Sequence, residues 1–388
     1  MFPSYLLELK LQDERFKRAS AMSDSPNWLV WSLGEYGRVI HPPLVLLLCI
    51  SGALGHLVTI TTLSSMLNPT NMFLISMSCS QLALCVNFLY STFFKWVSDE
   101  LCQPLFFSYH MAKTMHVSVT LSVLVHMSGV FHVVAISVIR FRSLTQLASV
   151  NSNVPWFTYQ KCRFSIAGIY ALVLLLGIPL YFTSEVRQVP ENEGCAVRFP
   201  SLKNRTSYQL AFSSFPYLQT LNFWLFHLCS KIIPSVILCV MTFLILDQLK
   251  KIRLLSARFA SVERDKQYNR TTKIILIIMF IFIVVELPQG VLAVLSTMTT
   301  IHLLSELGDL TEMMTLLTSC IIFGLFCSMN GRIRSAFREA PCIRSTCWFL
   351  SPICPSQRPA RASSARDRLI ERHTIIIANC SVDKGAAL

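Results

Sequence analysis

The sequence predicts an all-α membrane protein: a bundle of seven transmembrane helices followed by a short amphipathic helix. Three observations carry this reading. Of the 388 residues, 53% are hydrophobic and only 14% charged, whereas a soluble domain carries about 25% charged residues. Mean hydropathy is +0.52. The apolar residues gather into seven runs, roughly 40–63, 72–94, 108–139, 164–183, 219–247, 272–299 and 309–329, each near the ~20 residues a helix needs to cross a bilayer. Helices buried in a large soluble protein would carry charged outer faces, and these runs have almost none.

Residues 1–39 form a tail ahead of the first span. It lacks a basic n-region, and Glu8 interrupts its short apolar stretch, so the first span is expected to act as its own insertion signal. Orientation follows from the loops. Arg140, Arg142, Lys161 and Arg163 flank the loop after the third run. Lys250, Lys251, Arg253, Arg258, Arg264, Lys266, Arg270 and Lys273 crowd the loop after the fifth, and Arg332, Arg334, Arg338 and Arg344 open the C-terminal tail. The positive-inside rule places these segments in the cytoplasm and the N-terminus on the outer side. Lys10, Arg15, Lys17 and Arg18 fall on the outer side, but far from the first span. The net charge of +13 therefore reads as topology and not as a nucleic-acid surface.

Cysteine usage fits the same topology. Of fourteen cysteines, only Cys102 and Cys195 fall in outer loops, where conditions are oxidising. They either pair as a disulfide or remain two thiols. The outer loop of Cys195 also carries the sequon Asn204-Arg205-Thr206, a glycosylation site, while the sequons at Asn269 and Asn379 lie inside.

Within the spans, charge is the informative feature. Glu286 sits in the sixth run, and an ionisable group at such depth costs about 2.5–3.5 kcal/mol on insertion scales. Lys231 in the fifth run supplies the opposite charge. Lys231 precedes Pro234 and Glu286 precedes Pro288, on helices that neighbour one another in this architecture. His227 lies one turn before Lys231, and Gln289 almost one turn after Glu286. A polar cluster at the floor of a cavity is expected, acting either as a ligand-sensitive switch or as a static pair that fixes helix register. Asp309 and Glu312 have the spacing of a capping box at the start of the seventh helix; Glu312 alternatively meets a cationic ligand. His110, His116, His126 and His132 lack the spacing of a metal site, so no metal and no cofactor is expected. His126 faces the cavity or packs against the second and fifth helices. No paired aspartates, H-E-x-x-H or G-x-S-x-G-like serine point to an enzyme, and no internal duplication points to a transporter.

The motifs sharpen the class. The second run opens Thr70-Asn71-Met72-Phe73-Leu74, the third ends His126-Met127-Ser128 … Val138-Ile139-Arg140-Phe141, and the fifth contains Lys231-Ile232-Ile233-Pro234. The sixth contains Asn269-Arg270-Thr271-Thr272-Lys273 and Glu286-Leu287-Pro288-Gln289-Gly290, and the seventh opens Leu307-Gly308-Asp309-Leu310. Together these resemble the rhodopsin-like G-protein-coupled receptors of the invertebrate FMRFamide, myosuppressin and sex-peptide group, the serpentine class w type. The resemblance covers most of the chain from Tyr36 to Phe337. It implies a receptor for an amidated, FMRFamide-like or myosuppressin-like neuropeptide. It also implies a heterotrimeric G protein of the inhibitory class and arrestin as cytoplasmic partners, in a lipid membrane.

Arg140 is then the residue that meets the G protein. Lys231, Glu286, Gln289, His227, His126 and Glu312 are the candidate ligand-binding and switch residues. Four positions depart from the pattern. His56 replaces the usual asparagine of the first helix and Gln81 the aspartate of the second. Ile139 replaces the acidic residue before Arg140, and Ile322 to Phe326 replaces the N-P-x-x-Y-like end of the seventh. Sodium modulation and tight inactive locking are not expected from such a set. Cys102 also lies further from Arg140 than the family's helix-three cysteine, whose usual place falls on Met115. The runner-up readings are a small-molecule chemoreceptor or weakly coupling atypical receptor and, more distantly, a transporter; an ion-flux assay set against G-protein activation separates the last.

Beyond the transmembrane domain of residues 40–329, residues 330–340 read as an interfacial amphipathic helix, with Ile333 and Phe337 four apart among arginines. Cys342 and Cys347 follow as palmitoylation candidates. Residues 341–388, rich in Pro, Arg and Ser, read as a disordered cytoplasmic tail open to phosphorylation.

Overall fold

The computed structural model describes residues 35–65, 67–97, 102–148, 156–189, 206–213, 227–256, 262–298 and 303–329, with a few isolated positions besides. Seven helices organise them. Helix α1 (His41–Ser64) follows a π-helical turn at Tyr36–Ile40, and α2 spans Pro69–Lys95. Helix α3 (Tyr109–Ala148) follows a short 3-10 turn at Pro104–Phe107, and α4 spans Tyr159–Tyr181. Helix α5 (Ile233–Ser256) continues a π-helical turn at Leu228–Ile232; α6 is Val262–Met298 and α7 is Leu303–Met329.

Local chemistry sets several of these starts. Asn68 caps α2, its side chain accepting from the Asn71 N–H at 2.7 Å, with Pro69 at the first helical position, where a missing N–H is harmless. Thr158 caps α4 by accepting from the Lys161 N–H at 3.4 Å. Beside that cap the Lys161 ammonium stands 4.6 Å from the Trp156 ring centroid.

Between α4 and α5, strands β1 (Ser184–Gln188) and β2 (Tyr208–Phe212) pair antiparallel, Ser184 opposite Phe212 and Gln188 opposite Tyr208. This hairpin contacts α3, and Tyr208 meets Tyr109 edge to face at 5.5 Å. It marks one end of the bundle, the hairpin end. The opposite, basic end is where α5 finishes and α6 begins. Helix α3 is central and packs on α2, α4, α5 and α6, while α1 packs on α2 and α7.

Six helices are long and apolar enough to cross a membrane, and the described part of α7 adds the apolar stretch Leu310–Phe326. Their outward faces are hydrocarbon: Leu174 and Leu175 on α4, Phe243 on α5 and Phe280 on α6 are all exposed. Surfaces of this kind suit lipid and not water.

Helix lengths differ from the apolar runs at the basic end. Helix α3 runs on to Ala148, α5 to Ser256, and α6 begins at Val262. The basic segment read as a loop after the fifth run is therefore largely helical, with Lys250, Lys251 and Arg253 on α5 and Arg264 to Lys273 on α6. Hydropathy marks the thickness of oil, whereas a helix keeps its own backbone hydrogen bonds on entering water. One exposed i,i+4 pair, Lys251 to Asp247 at 2.8 Å, decorates such an extension. At the other end α7 begins at Leu303, so Asp309 stands inside the helix and the capping-box reading of Asp309 and Glu312 does not hold. The apolar residues Leu303 and Leu304 start the helix a turn and a half earlier.

Candidate functional site

The fifth helix approaches the bundle centre through a wide turn. Pro234 has no N–H to give to the carbonyl of Ser230, so the ordinary i→i−4 ladder fails there. The backbone widens just before it: the Ile233 N–H bonds to the Leu228 carbonyl in a π-type step. Lys231 lies within this turn and is only 4% exposed.

Its ammonium finds two partners on α6, donating to Glu286 Oε2 at 2.8 Å and to Gln289 Oε1 at 2.6 Å. Glu286 is 2% exposed, and the same Oε2 lies 3.2 Å from His126 Nε2 on α3, an N–H that donates to the carboxylate. Gln289 turns its amide nitrogen toward α7, donating to the Thr311 carbonyl at 3.3 Å and to Thr315 Oγ1 at 3.5 Å. One connected network thus joins α3, the π-turn of α5, α6 and α7.

Two residues bring the backbones close enough. Pro288 interrupts the α6 ladder between Glu286 and Gln289. At Gly290 an added Cβ would fall 3.0 Å from Ile232 Cγ1 and 3.1 Å from Lys231 Cβ. The glycine therefore lets α6 lie directly on the turn that holds the lysine, which places a physical reason behind the Glu286-to-Gly290 motif.

The pair is energetically poised. Removing two charges from water costs several kcal/mol per ion in effective terms, and the attraction repays this only with good geometry and added hydrogen bonds. Here each charge has two short polar contacts. The network is held together strongly, yet replacing one partner leaves the other stranded.

The sequence-derived candidates divide clearly. Lys231, Glu286, Gln289 and His126 come together. His227 is buried at 2% exposure, one turn before Lys231 and within its electrostatic reach. Glu312 is half-buried on α7, within electrostatic range of Cys49 on α1. Arg140 stands toward the basic end, where its side chain lines a small cavity with Leu74, Met77, Ile136, Ile275, Ile278 and Phe326. Cys102 is disulfide-bonded, with its backbone in the left-handed region at φ 48°. Cys195, Asn204, Cys342, Cys347 and the 330–340 segment, apart from Ser335, lie outside the described residues. Among the described residues no cluster of His, Cys, Asp or Glu could hold a metal ion.

Three features escaped sequence reasoning. Thr311 and Thr315 anchor Gln289; with Thr318 they form an i, i+4, i+7 polar stripe along α7, a signal that was available. A second polar seam joins α2, α3 and α4: Ser76 Oγ to His132 Nε2 at 2.9 Å, Ser80 to Ser128 at 2.8 Å, and the Tyr170 hydroxyl to both serines at 3.2 Å. The departures at the basic half also acquire partners. The His56 Nε2–H faces the Ser319 carbonyl at 3.2 Å and hydroxyl at 3.1 Å. Gln81 lies over Gly129, where a Cβ would come within 2.5 Å of its amide nitrogen. Ile139, Ile322 and Phe326 join one buried apolar layer with Leu74, Met77 and Ile136.

A seven-helix membrane bundle whose buried charge network ties together helices 3, 5, 6 and 7 is consistent with a G-protein-coupled receptor, a class that takes a ligand from outside and engages a G protein within, and the family match establishes that class. The family described as "Serpentine type 7TM GPCR chemoreceptor Srw" matches residues 42–344, and this chain belongs to it. It is also similar to a Caenorhabditis elegans protein described as G-protein coupled receptor dmsr-1, 27% identical over 354 residues, which cover 79% of this chain and 69% of that protein.

Proposed function

We propose that this receptor answers an amidated, FMRFamide-like or myosuppressin-like peptide at the plasma membrane, with its N-terminus and hairpin end outside. The Lys231–Glu286 pair is the switch. Ligand contact from the hairpin end alters the pair, α6 moves about Pro288, and the basic end opens for a heterotrimeric G protein of the inhibitory class that meets Arg140; arrestin follows. Cys102 pairs with Cys195, Asn204 carries glycan, and Cys342 and Cys347 take palmitate. The observation that carries the switch is the buried ammonium and carboxylate held by partners on four helices, since a charge cluster in hydrocarbon is expensive and marks function.

The experiment is Glu286→Gln in cells reporting G-protein activation. Basal or agonist-driven signalling changes while surface expression survives; unchanged signalling at both levels refutes the switch. A second reading, a small-molecule chemoreceptor, is favoured by the family's description. A screen of small metabolites beside a peptide library separates the two.

A further inference from the structure

Helix α3 is the central helix of the bundle, yet one strip of it is bare toward the hairpin end: Val117 is 48% and Leu121 43% exposed. The cause is a cleft between its neighbours α2 and α4. Toward the basic end these two helices meet, because the Tyr170 hydroxyl reaches both Ser76 and Ser80 at 3.2 Å. Toward the hairpin end each is tied to α3 instead. Helix α2 is held by Tyr90 to Thr114 at 2.6 Å and by the Asn87 amide, which donates to the Ser118 carbonyl at 2.9 Å. Helix α4 is held where the Tyr181 and His116 rings stack at 4.6 Å. By helical spacing, Val117 and Leu121 fall between these two lines of attachment. Ala83, between Ser80 and Asn87 on α2, and Leu174, between Tyr170 and Tyr181 on α4, are exposed as well.

Lys113 stands at the mouth of this cleft, one turn before Val117 on α3. Its ammonium is fixed by neutral groups. His116 Nε2 lies 3.0 Å from the Tyr181 carbonyl, which can only accept, so Nε2 carries the proton and Nδ1 accepts from the Lys113 ammonium at 3.1 Å. The Tyr181 ring centroid lies 5.0 Å from the same ammonium. Among the described residues no carboxylate pairs with Lys113. A lysine that merely snorkels extends its head into water; this one is laid against α4 with its charge uncompensated. We propose that the cleft between α2 and α4 is a phospholipid site: the phosphate accepts from the Lys113 ammonium, and one acyl chain lies along Val117 and Leu121. A phosphodiester carries one negative charge, which offsets that of the lysine and strands no second one. At about 1.5 Å per residue, Val117 and Leu121 lie roughly 6 and 12 Å further along α3 than Lys113, where an acyl chain runs below its headgroup. The lipid comes from the leaflet at the hairpin end. This site is separate from the Lys231 network and does not depend on which ligand the receptor answers.

The experiment is photolabelling of the full chain in phosphatidylcholine bilayers. Three trace probes carry the same diazirine-bearing acyl chain: a phospholipid, a diacylglycerol without phosphate, and the free fatty acid. After illumination the labelled peptides are quantified by mass spectrometry. The lipid-facing stretch around Phe243 on α5, 73% exposed, serves as the reference for bulk lipid. Relative to that reference, the phospholipid should label the Val117–Leu121 stretch about fivefold more than the diacylglycerol does, the factor expected from one lysine on a lipid phosphate. Lys113→Gln should close this gap, and Lys113→Arg should keep it open. Equal labelling by phospholipid and diacylglycerol on the unaltered chain means bulk lipid only and overturns the site. A gap that survives Lys113→Gln overturns the headgroup contact and the proposal with it. Preferential labelling of the stretch by the fatty acid overturns the phospholipid as occupant. The comparison of probes needs no variant, so it stands even if Lys113→Gln fails to fold. Each of these results leaves the peptide-receptor reading untouched, because that reading is tested by ligand-driven activation.

Discussion

Lys231→Met tests the energetics of the central network most directly. The substitution keeps the length and apolar stem of the side chain but removes the ammonium. Glu286, 2% exposed, is then left with the His126 N–H at 3.2 Å as its remaining donor among the described side chains, and Gln289 Oε1 loses its 2.6 Å donor. Breaking a buried pair from one side costs about 3–5 kcal/mol. At roughly 2 °C per kcal/mol for a chain of this size, the apparent melting temperature of the detergent-solubilised receptor should fall by about 6–10 °C. Adding Glu286→Gln should recover most of the loss, because the stranded charge is gone while a carbonyl still accepts from His126. The assay is a fluorescence thermal-stability scan of the single and double variants at one scan rate. If Lys231→Met is as stable as the parent, or the double variant is no better than the single, the charges are not energetically coupled and the network argument fails.

Other expectations follow from the same geometry. Gly290→Ala gains about 0.5–1 kcal/mol of helix propensity but places a methyl 3.0 Å from Ile232 Cγ1 and 3.1 Å from Lys231 Cβ. Overpacking costs about 1–3 kcal/mol, so a net loss of stability with shifted basal signalling is expected in the same thermal scan and activation assay. Gly129→Ala would set a methyl 2.5 Å from the Gln81 amide nitrogen, forcing that side chain to move, and should lower surface expression, read by flow cytometry. Asn68→Ala removes the cap on α2 and should cost about 1 kcal/mol without changing the agonist concentration at half response. Arg140→Ala should abolish G-protein activation while surface level stays within twofold of the parent, as quantified by nucleotide exchange in membranes.

Much of this was legible in the sequence because oil is a strict solvent. Apolar runs had to be long, and charges within them had to have partners, so Lys231 and Glu286 could be paired before any coordinate was known. The neighbour Gln289 followed from its spacing, whereas His126 could be read equally as facing the cavity or packing against the second and fifth helices, and its contact with Glu286 came from the structure. Other features were not readable. The π-turn depends on how Pro234 redistributes backbone bonds in three dimensions, and a proline in sequence allows several outcomes. The helical extensions past the membrane face carry no hydropathy signal. The Asp309 cap failed because local spacing competes with the tendency of a helix to continue wherever its residues allow it. His56 and Gln81 looked like simple losses from a polar network; their new contacts with Ser319 and Gly129 depend on the packing of α1, α2, α3 and α7.

The distribution of contacts along α6 has a mechanical consequence. Around Pro288 the helix is gripped by directional bonds reaching α3, α5 and α7, whereas from Ile274 to Phe282 its buried side chains meet the rest of the bundle through hydrocarbon. Greasy contacts have no preferred bearing and slip sideways cheaply, while hydrogen bonds resist displacement in every direction. A helix held in this way behaves as an oar in a rowlock. The grip fixes α6 at Pro288 and leaves its basic-end half with far less directional hold.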